Sequence, residues 1–463
     1  MINQLGQNTL TQLLGKIIST LIGLVVVALM TRGLGRDNFG AYTTVVTFLQ
    51  FFGILTDFGL NMTVARELGS QRLAPDRLLG NLLSFRTITS GIAYVLAPTV
   101  AWLIYPSDIA WGISLTSLAF FLSSLSQSFN AVFQSELKSG KLVWGDLSGR
   151  LVLLLGTINA VIYTWPLTGY LTLLVLANAT SAAVVLRQTQ KLLPYHWQLD
   201  RVVWQELWSV TWPVALTIAL NLIYFKTDTI ILSLFRSRGE VGLYGAAYKV
   251  LEVLLAVPAI IGGLVLPLAA RYRSRQQTDK IKNLFHGSFD ALLAGGLAII
   301  VVCWLIGVPM MTTLAGADFA QSGLVLGILS LATAFIFLGN AAGYFIFALD
   351  KQKTTIPLYT IAAVAAVTCY LWLIPRFGMW AAAWTTVGVE GFMTLGSLLI
   401  LKHYGLTPSA SRLPKILLAT FILGLGIKLI PWWWLGLIIS GLFYLLALWL
   451  LKLLPQEELS LND

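Results

Sequence analysis

The residues most able to do chemistry in this chain are charges set inside apolar sequence. Lys226, Asp228, Lys249 and Glu252 interrupt two consecutive apolar runs, and Glu390 stands near the middle of a later one. An ionisable group in hydrocarbon costs about 2.5 kcal/mol or more, so it faces a cavity or pairs with another charge. Counted inward from the run ends near 235 and 241, Lys226 and Glu252 lie at similar depth. Asp228 and Lys249 form a second matched level. Each residue is about 10–17 Å in, at about 1.5 Å per helical residue. If the two runs are neighbours, two cross-helix pairs follow. One reading is a cationic wall, partly neutralised by acids, that meets a pyrophosphate or an acidic sugar, because Lys is a point-charge binder of phosphate. The other is a structural ion-pair ladder holding an antiparallel hairpin. The sequence leaves both open.

Other charges sit near run ends. Lys16 lies about six residues inside the first run, where it reaches a cavity or snorkels to the interface. Arg32 and Arg36 close the far end of that run, as interface anchors or as cations at a cavity mouth. Arg86 and Arg150 fall about four residues into their runs, and snorkelling is the expectation for both. Glu390 has Gly388 and Gly391 beside it, which would let a neighbouring helix approach closely. It is a candidate for proton or cation coupling, or a hydrogen-bonded packing residue. Asp57, at the inner end of the second run, suits a helix-end or gating contact and is a second candidate for ion coupling.

Enzyme signatures are missing. No G-x-x-x-x-G-K-[ST] loop is present, and the nearest fragment, Ser139-Gly140-Lys141-Leu142, lacks the first Gly and the hydroxyl. The sequence holds no H-E-x-x-H, C-x-x-C or G-x-S-x-G. Cys303 and Cys369 lie in apolar runs, and His196, His286 and His403 lie far apart, so no metal spacing arises. No cofactor is expected, and the only acid in the break Arg32–Phe39 is Asp37.

The elements that position these charges are set by composition. Of 463 residues, 57% are hydrophobic and only 11% charged, and mean hydropathy is +0.80. Soluble domains run near 25% charged, whereas lipid solvates the apolar outside of a helix bundle. At about 20 apolar residues per crossing, the chain reads as an all-α integral membrane protein of about fourteen helices. Six fall near 10–31, 40–60, 82–104, 110–133, 147–165 and 167–187. Six more fall near 207–235, 241–269, 285–314, 321–349, 355–374 and 379–401, with a final pair near 413–430 and 433–452. The first, Leu10–Met30, is long enough to be a retained span.

The net charge of +10 does not point to nucleic acid, because Lys and Arg collect in the breaks between runs. With both termini cytoplasmic, inside segments hold about three times the Lys and Arg of outside ones. Anionic lipid heads are attracted as a by-product. No break is long enough for a soluble domain. Arg201–Trp212 alternates Trp with charge (Trp204, Glu206, Trp208), as an interfacial helix or as a Trp-rich helix end.

An internal repeat is visible. Arg36 and Gly40-Ala41-Tyr42 match Arg238 and Gly242-Leu243-Tyr244 at a constant offset (238 minus 36 equals 242 minus 40). Pro166-x-x-Gly169 likewise matches Pro375-x-x-Gly378. Two six-helix halves follow, residues 1–190 and 200–402, with an extra helix pair and tail over 403–463.

Several stretches resemble the polysaccharide-transporter flippases. Thr31-Arg-Gly-Leu-Gly-Arg-Asp-Asn-Phe-Gly-Ala-Tyr42 is similar to the R-x-L-G-x-x-x-[FY]-G-x-Y stretch after that family's first helix. Leu55-Thr-Asp-Phe-Gly-Leu60 and Val64-Ala-Arg-Glu67 resemble its DFGL…R-E continuation. Phe133-Gln134-x-Glu136-x-Lys138 resembles its fourth-helix exit. Phe225-Lys-Thr-Asp228 resembles its seventh-helix R-x-D, with Lys for the usual Arg, and Phe377 through Glu390 its twelfth helix. The resemblance implies a fold of the MATE-like MOP superfamily, with two lobes around a central cavity that work by alternating access. It implies export of undecaprenyl-pyrophosphate-linked repeat units of O-antigen, capsule or exopolysaccharide across the inner membrane. It also places Lys226 and Asp228 at a functionally sensitive position, although Lys lacks the bidentate fork of Arg. Lipid-linked oligosaccharide and membrane lipids are the expected partners. A coupled proton or cation and other membrane proteins of polysaccharide assembly are candidates. Related lipid-II flippases also carry an extra helix pair, which there helps form a lipid groove.

Three rivals remain at the level of sequence. A cation-coupled multidrug exporter of the same superfamily would prefer an acidic cavity, against the basic bias here. A lipid-II flippase would share the fold, and the motifs over 31–67 favour the polysaccharide branch. A membrane O-antigen ligase or polymerase would need a large external loop, which the short breaks do not provide.

Overall fold

The computed structural model describes residues 2–57, 75–129, 133, 140–190 and 197–451. The motif pieces over 58–67 and 134–138 therefore lie outside the described residues. Among the described residues the elements are helices and turns, with no strand. That is the all-α membrane class expected from hydropathy: only helices and closed barrels satisfy backbone polar groups inside hydrocarbon. The chain packs as two compact units, Met1–Gly242 and Leu243–Asp463.

The first unit contains α1 (Ile2–Asp57), α2 (Pro75–Ile104), α3 (Ser107–Gln127), α4 (Gly140–Ile162), α5 (Leu167–Gln190) and α6 (Arg201–Phe235). It ends in the first turn of α7 (Arg238–Leu254). The second unit contains the rest of α7, then α8 (Ala256–Ser274), α9 (Thr278–Ala315), α10 (Ala320–Ala348) and α11 (Ile356–His403). It closes with α12 (Leu413–Leu429) and α13 (Trp433–Leu450). Eleven stretches among the described residues are long and apolar enough to cross a membrane.

Two of those stretches are hairpins without a loop. Gly378, inside α11, has φ 58° and ψ −137°. The Tyr370 and Thr386 hydroxyls hydrogen-bond at 3.1 Å across it. A continuous helix would hold residues sixteen apart at about 24 Å, so the chain doubles back at Gly378. Gly35, inside α1, has φ 68° and ψ 175°. On one side Gly33 meets Tyr170; on the other Val45 meets Gly112, which also meets Leu171. Both arms of α1 thus reach the start of α5, and the reversal is at Gly35. A positive φ costs glycine little because it has no Cβ. The expected pairs of spans, 10–31 with 40–60 as far as residue 57 and 355–374 with 379–401, are the two arms of these hairpins.

Small residues set the close packing in each unit. Along α4, Gly145 lies on Val185, Gly149 on the Ala177 carbonyl and Gly156 on Leu173, an antiparallel seam with α5. In the second unit, Phe285, Phe289, Phe337 and Phe345 form the core between α9 and α10. The C-terminal pair α12–α13 packs on α9, where the Tyr444 hydroxyl donates to the Ala294 carbonyl at 2.8 Å.

Gly149→Leu drives a side chain into a backbone carbonyl that a Cβ alone would approach to 2.7 Å. Overpacking of this kind costs about 1–3 kcal/mol. A fluorescence-detected thermal melt in detergent will show Gly149→Leu well below wild type. Gly91→Leu, where a Cβ meets nothing within 4 Å, will stay near wild type.

Candidate functional site

In the first unit, two buried charges lie on α6. Lys226 is buried to 8% exposure and Asp228 to 1%. The Lys226 ammonium stands 5.5 Å from the centroid of the Phe225 ring. Asp228 Oδ1 accepts from the backbone N–H of Thr229 and from its hydroxyl, the latter at 3.1 Å. These contacts hold the carboxylate against its own helix, two residues from the ammonium. The Trp-rich stretch from Arg201 is the start of α6 itself, and Trp204 packs edge-on to Phe85 at 5.1 Å.

Sequence reading placed Arg86 at the interface as a snorkelling side chain. The structure corrects this: Arg86 on α2 is fully buried at 0% exposure. A snorkelling head group would be open to solvent. Its guanidinium lies within electrostatic reach of Tyr94 on the same helix. Nearby, Ser90 of α2 and Ser124 of α3 share a hydrogen bond of 2.7 Å.

Arg150 is seven residues into the apolar stretch Val143–Ile162, further from the end than hydropathy alone suggested. It pairs with Asp146 one turn earlier at 3.7 Å, and Asp146 accepts a hydrogen bond from Ser19 of α1. The guanidinium lies over Gly23, where a Cβ would come within 2.8 Å of Nη1. A Ser–Asp–Arg chain therefore bridges α1 and α4. Asp146 was not singled out from the sequence because it falls just before the apolar run; Ser19 and Gly23, one turn apart on α1, were the available signal. Lys16 and Arg32 are both exposed. Asp57 is the last residue of α1, and its side chain lies outside the described residues.

In the second unit, Lys249 and Glu252 pair with each other one turn apart on α7, at 2.7 Å. Both are about 70% buried, with side-chain exposures of 27% and 29%. Glu390, on the second arm of α11, is buried to 5% exposure. The Tyr359 phenol on the first arm lies within its electrostatic reach. Gly391, next to Glu390, faces the Phe335 ring of α10, and Thr394 donates to the Phe335 carbonyl at 2.7 Å. A neighbouring helix therefore lies against Gly391 and Thr394, whereas a Cβ on Gly388 would meet nothing within 4 Å. Asp290 on α9 escaped the sequence reading: its side chain is 3% exposed and lies 3.6 Å from Arg412. No group of three or more His, Cys, Asp or Glu side chains that could hold a metal is found among the described residues.

Arg86→Ala removes the cation from a fully buried setting. Breaking a buried charged network costs about 3–5 kcal/mol. A thermal melt of the purified protein will show a large loss for Arg86→Ala. Lys16→Ala, at an exposed site, will fall within about 0.5 kcal/mol of wild type.

Comparison with known proteins places this arrangement. Residues 5–273 match the family model described as polysaccharide biosynthesis protein. The chain is 24% identical over 397 residues to a putative O-antigen transporter of Shigella flexneri, covering 81% of this chain and 93% of that one. It is 23% identical over 269 residues to the lipopolysaccharide biosynthesis protein WzxC of Escherichia coli K12, covering 57% and 54%. Among solved structures, the lipid II flippase MurJ in an inward closed conformation superposes with a TM-score of 0.78 at 14% identity, over 95% of this chain and 98% of that one. At that identity the likeness shows the fold alone. The chain is a multi-span member of the polysaccharide biosynthesis protein family.

Proposed function

We propose that this protein is an ATP-independent flippase that carries undecaprenyl-pyrophosphate-linked oligosaccharide repeat units across the inner membrane by alternating access. The coarser statement rests on relatives that include a putative O-antigen transporter and a probable flippase: this chain is a transporter rather than an enzyme. The observation that carries the finer reading is Lys226, a cation buried to 8% exposure beside Asp228 within an apolar helix. A buried charge is retained against its desolvation cost when function uses it. A lipid-linked pyrophosphate is the anionic substrate class that suits a transporter in a polysaccharide family.

In this reading the halves 1–190 and 200–402 rock about a central path, and both termini face the cytoplasm. Lys226 and Lys249 form the basic wall, tempered by Asp228 and Glu252. Lys16 and Arg32 add cationic ends to the path. The anionic head enters the path while the polyprenyl tail stays in lipid. A potential positive outside assists outward movement of an anion by about 2.3 kcal/mol per charge per 100 mV. Glu390, with Tyr359 near it, is the first candidate to carry a coupled proton or cation, and Asp57 the second.

The test is export of a fluorescent polyprenyl-pyrophosphate oligosaccharide from the inner leaflet of proteoliposomes, without ATP and with an imposed potential. Wild type will transport, and Lys226→Ala will transport about tenfold more slowly, equivalent to about 1.4 kcal/mol. Equal rates in the two would reduce Lys226 to a structural role. Efflux of cationic dyes with no glycan transport would overturn the substrate class.

A further inference from the structure

Asp290 sits on α9 where charge gives way to apolar sequence: no Asp, Glu, Lys or Arg follows it before the helix ends at Ala315. Arg412 holds the matching place on α12, as the residue before Leu413. The two helices run parallel and in step. Arg412 lies beside Asp290, Ile416 and Ala419 pack in one cluster with Ala294, and Gly424 lies on Val301. The offset along the chain hardly changes, since 412 minus 290 is 122 and 424 minus 301 is 123. The pair therefore stands at one end of an apolar seam, at the depth where lipid head groups meet hydrocarbon.

The pairing is incomplete on both sides. The Asp290 side chain is 3% exposed, yet its Oδ2 has no hydrogen-bond partner among the described residues and stands 3.6 Å from Arg412 Nη1. Charge-assisted bonds of this kind close to about 2.7–2.9 Å. In the same unit Arg273 reaches Asp350 at 2.6 Å, and Lys249 reaches Glu252 at 2.7 Å. His286, one turn before Asp290, is engaged elsewhere: its Nε2 donates to the Thr407 carbonyl at 2.9 Å. A buried acceptor left without a donor costs about 1–3 kcal/mol. On the other side, the Arg412 side chain is 45% exposed, and Ser411 and Lys415 are exposed beside it in sequence. The first turn of α12 adds the positive end of a helix dipole, so this corner favours an anion.

The two deficits call for opposite charges on one molecule. Oδ2 needs an N–H donor, and the corner at Arg412 and Lys415 suits a phosphate. We propose that Asp290, Arg412 and Lys415 bind the head group of a phospholipid that bears a primary amine, the phosphatidylethanolamine class. Its ammonium donates to Asp290 Oδ2, and its phosphate lies on Arg412 and Lys415. Arg412 covers Oδ2 without bonding it, so the guanidinium turns onto the phosphate as the ammonium enters, and its planar fork matches that group. A purely anionic head group would leave Oδ2 without a donor. A choline head group keeps both charges but has no N–H to give. The bound lipid bridges α9 and the start of α12. The proposal stands on the second unit alone and does not depend on what is transported.

The experiment uses the full-length protein, stripped of lipid in detergent, with lipid added back and bound molecules counted by native mass spectrometry. The probes are phosphatidylethanolamine, phosphatidylcholine and phosphatidylglycerol with the same dioleoyl chains. We expect wild type to bind its first phosphatidylethanolamine about tenfold more tightly than either of the others. Asp290→Asn, which keeps the side chain's shape and removes its charge, will bring phosphatidylethanolamine to the level of phosphatidylcholine. Arg412→Gln will weaken phosphatidylethanolamine binding as well. Equal binding of phosphatidylethanolamine and phosphatidylcholine by wild type would overturn the proposal, and that comparison needs no variant to fold. Tighter binding of phosphatidylglycerol would overturn it too, leaving only general attraction of cations for anionic lipid. A preference for phosphatidylethanolamine that persists in Asp290→Asn would put that lipid elsewhere and remove the site.

Discussion

Hydrocarbon offers no hydrogen bonds, and that constraint shapes the whole molecule. Each backbone polar group inside the membrane must find a partner within the protein. Continuous helices meet this requirement, and serine and threonine hydroxyls meet it locally by donating to carbonyls one turn back, as Thr44 does to Gly40 and Ser117 to Ile113. Charges face the same demand. Asp146 takes Ser19 and Arg150, Lys249 takes Glu252, and Asp290 lies beside Arg412. Where the chain must turn sharply, it does so at Gly35 and Gly378, leaving few backbone groups exposed in a loop. Glycine thus serves two ends: it turns the chain, and it lets α4 and α5 approach closely enough for dispersion to hold them.

The helical class, the apolar stretches and the two hairpins were legible in the sequence, because length and hydropathy report directly on what crosses a bilayer. The position of a charge around its helix was not. Hydropathy gives depth along the membrane normal, and depth alone suggested that Arg86 would snorkel. The structure turns it fully into protein. Asp290 was missed for a related reason: one acid in a long apolar run looks like an end effect until Arg412, more than a hundred residues later, is seen beside it. Long-range partners of this kind leave no local pattern. Lys226 and Asp228 were found because two charges spaced by one residue break an apolar run conspicuously.

Under the proposed function, a lysine beside an acid is a compromise between attraction and release. Unmitigated cations would hold an anionic head too firmly to let it go. Asp228 lies within a turn of Lys226, and Glu252 within a turn of Lys249, so each acid lowers the net field without removing its cation. An ammonium at Lys226 works in the same direction, since it gives a point charge rather than a fixed bidentate grip. Transport that runs on differences between states needs a substrate held comparably in each, because affinity for one state alone stalls the cycle there.

The C-terminal helix pair has a consequence of its own. Tyr444 of α13 is hydrogen-bonded to the Ala294 carbonyl, Gly424 of α12 lies on Val301, and Ile416 and Leu423 are buried against α9. The pair is thus welded to one helix along much of its length rather than tethered by a flexible joint. It behaves as a stiffening rib: α9, α12 and α13 form one block, so a force on the pair passes to α9 instead of being absorbed at a joint.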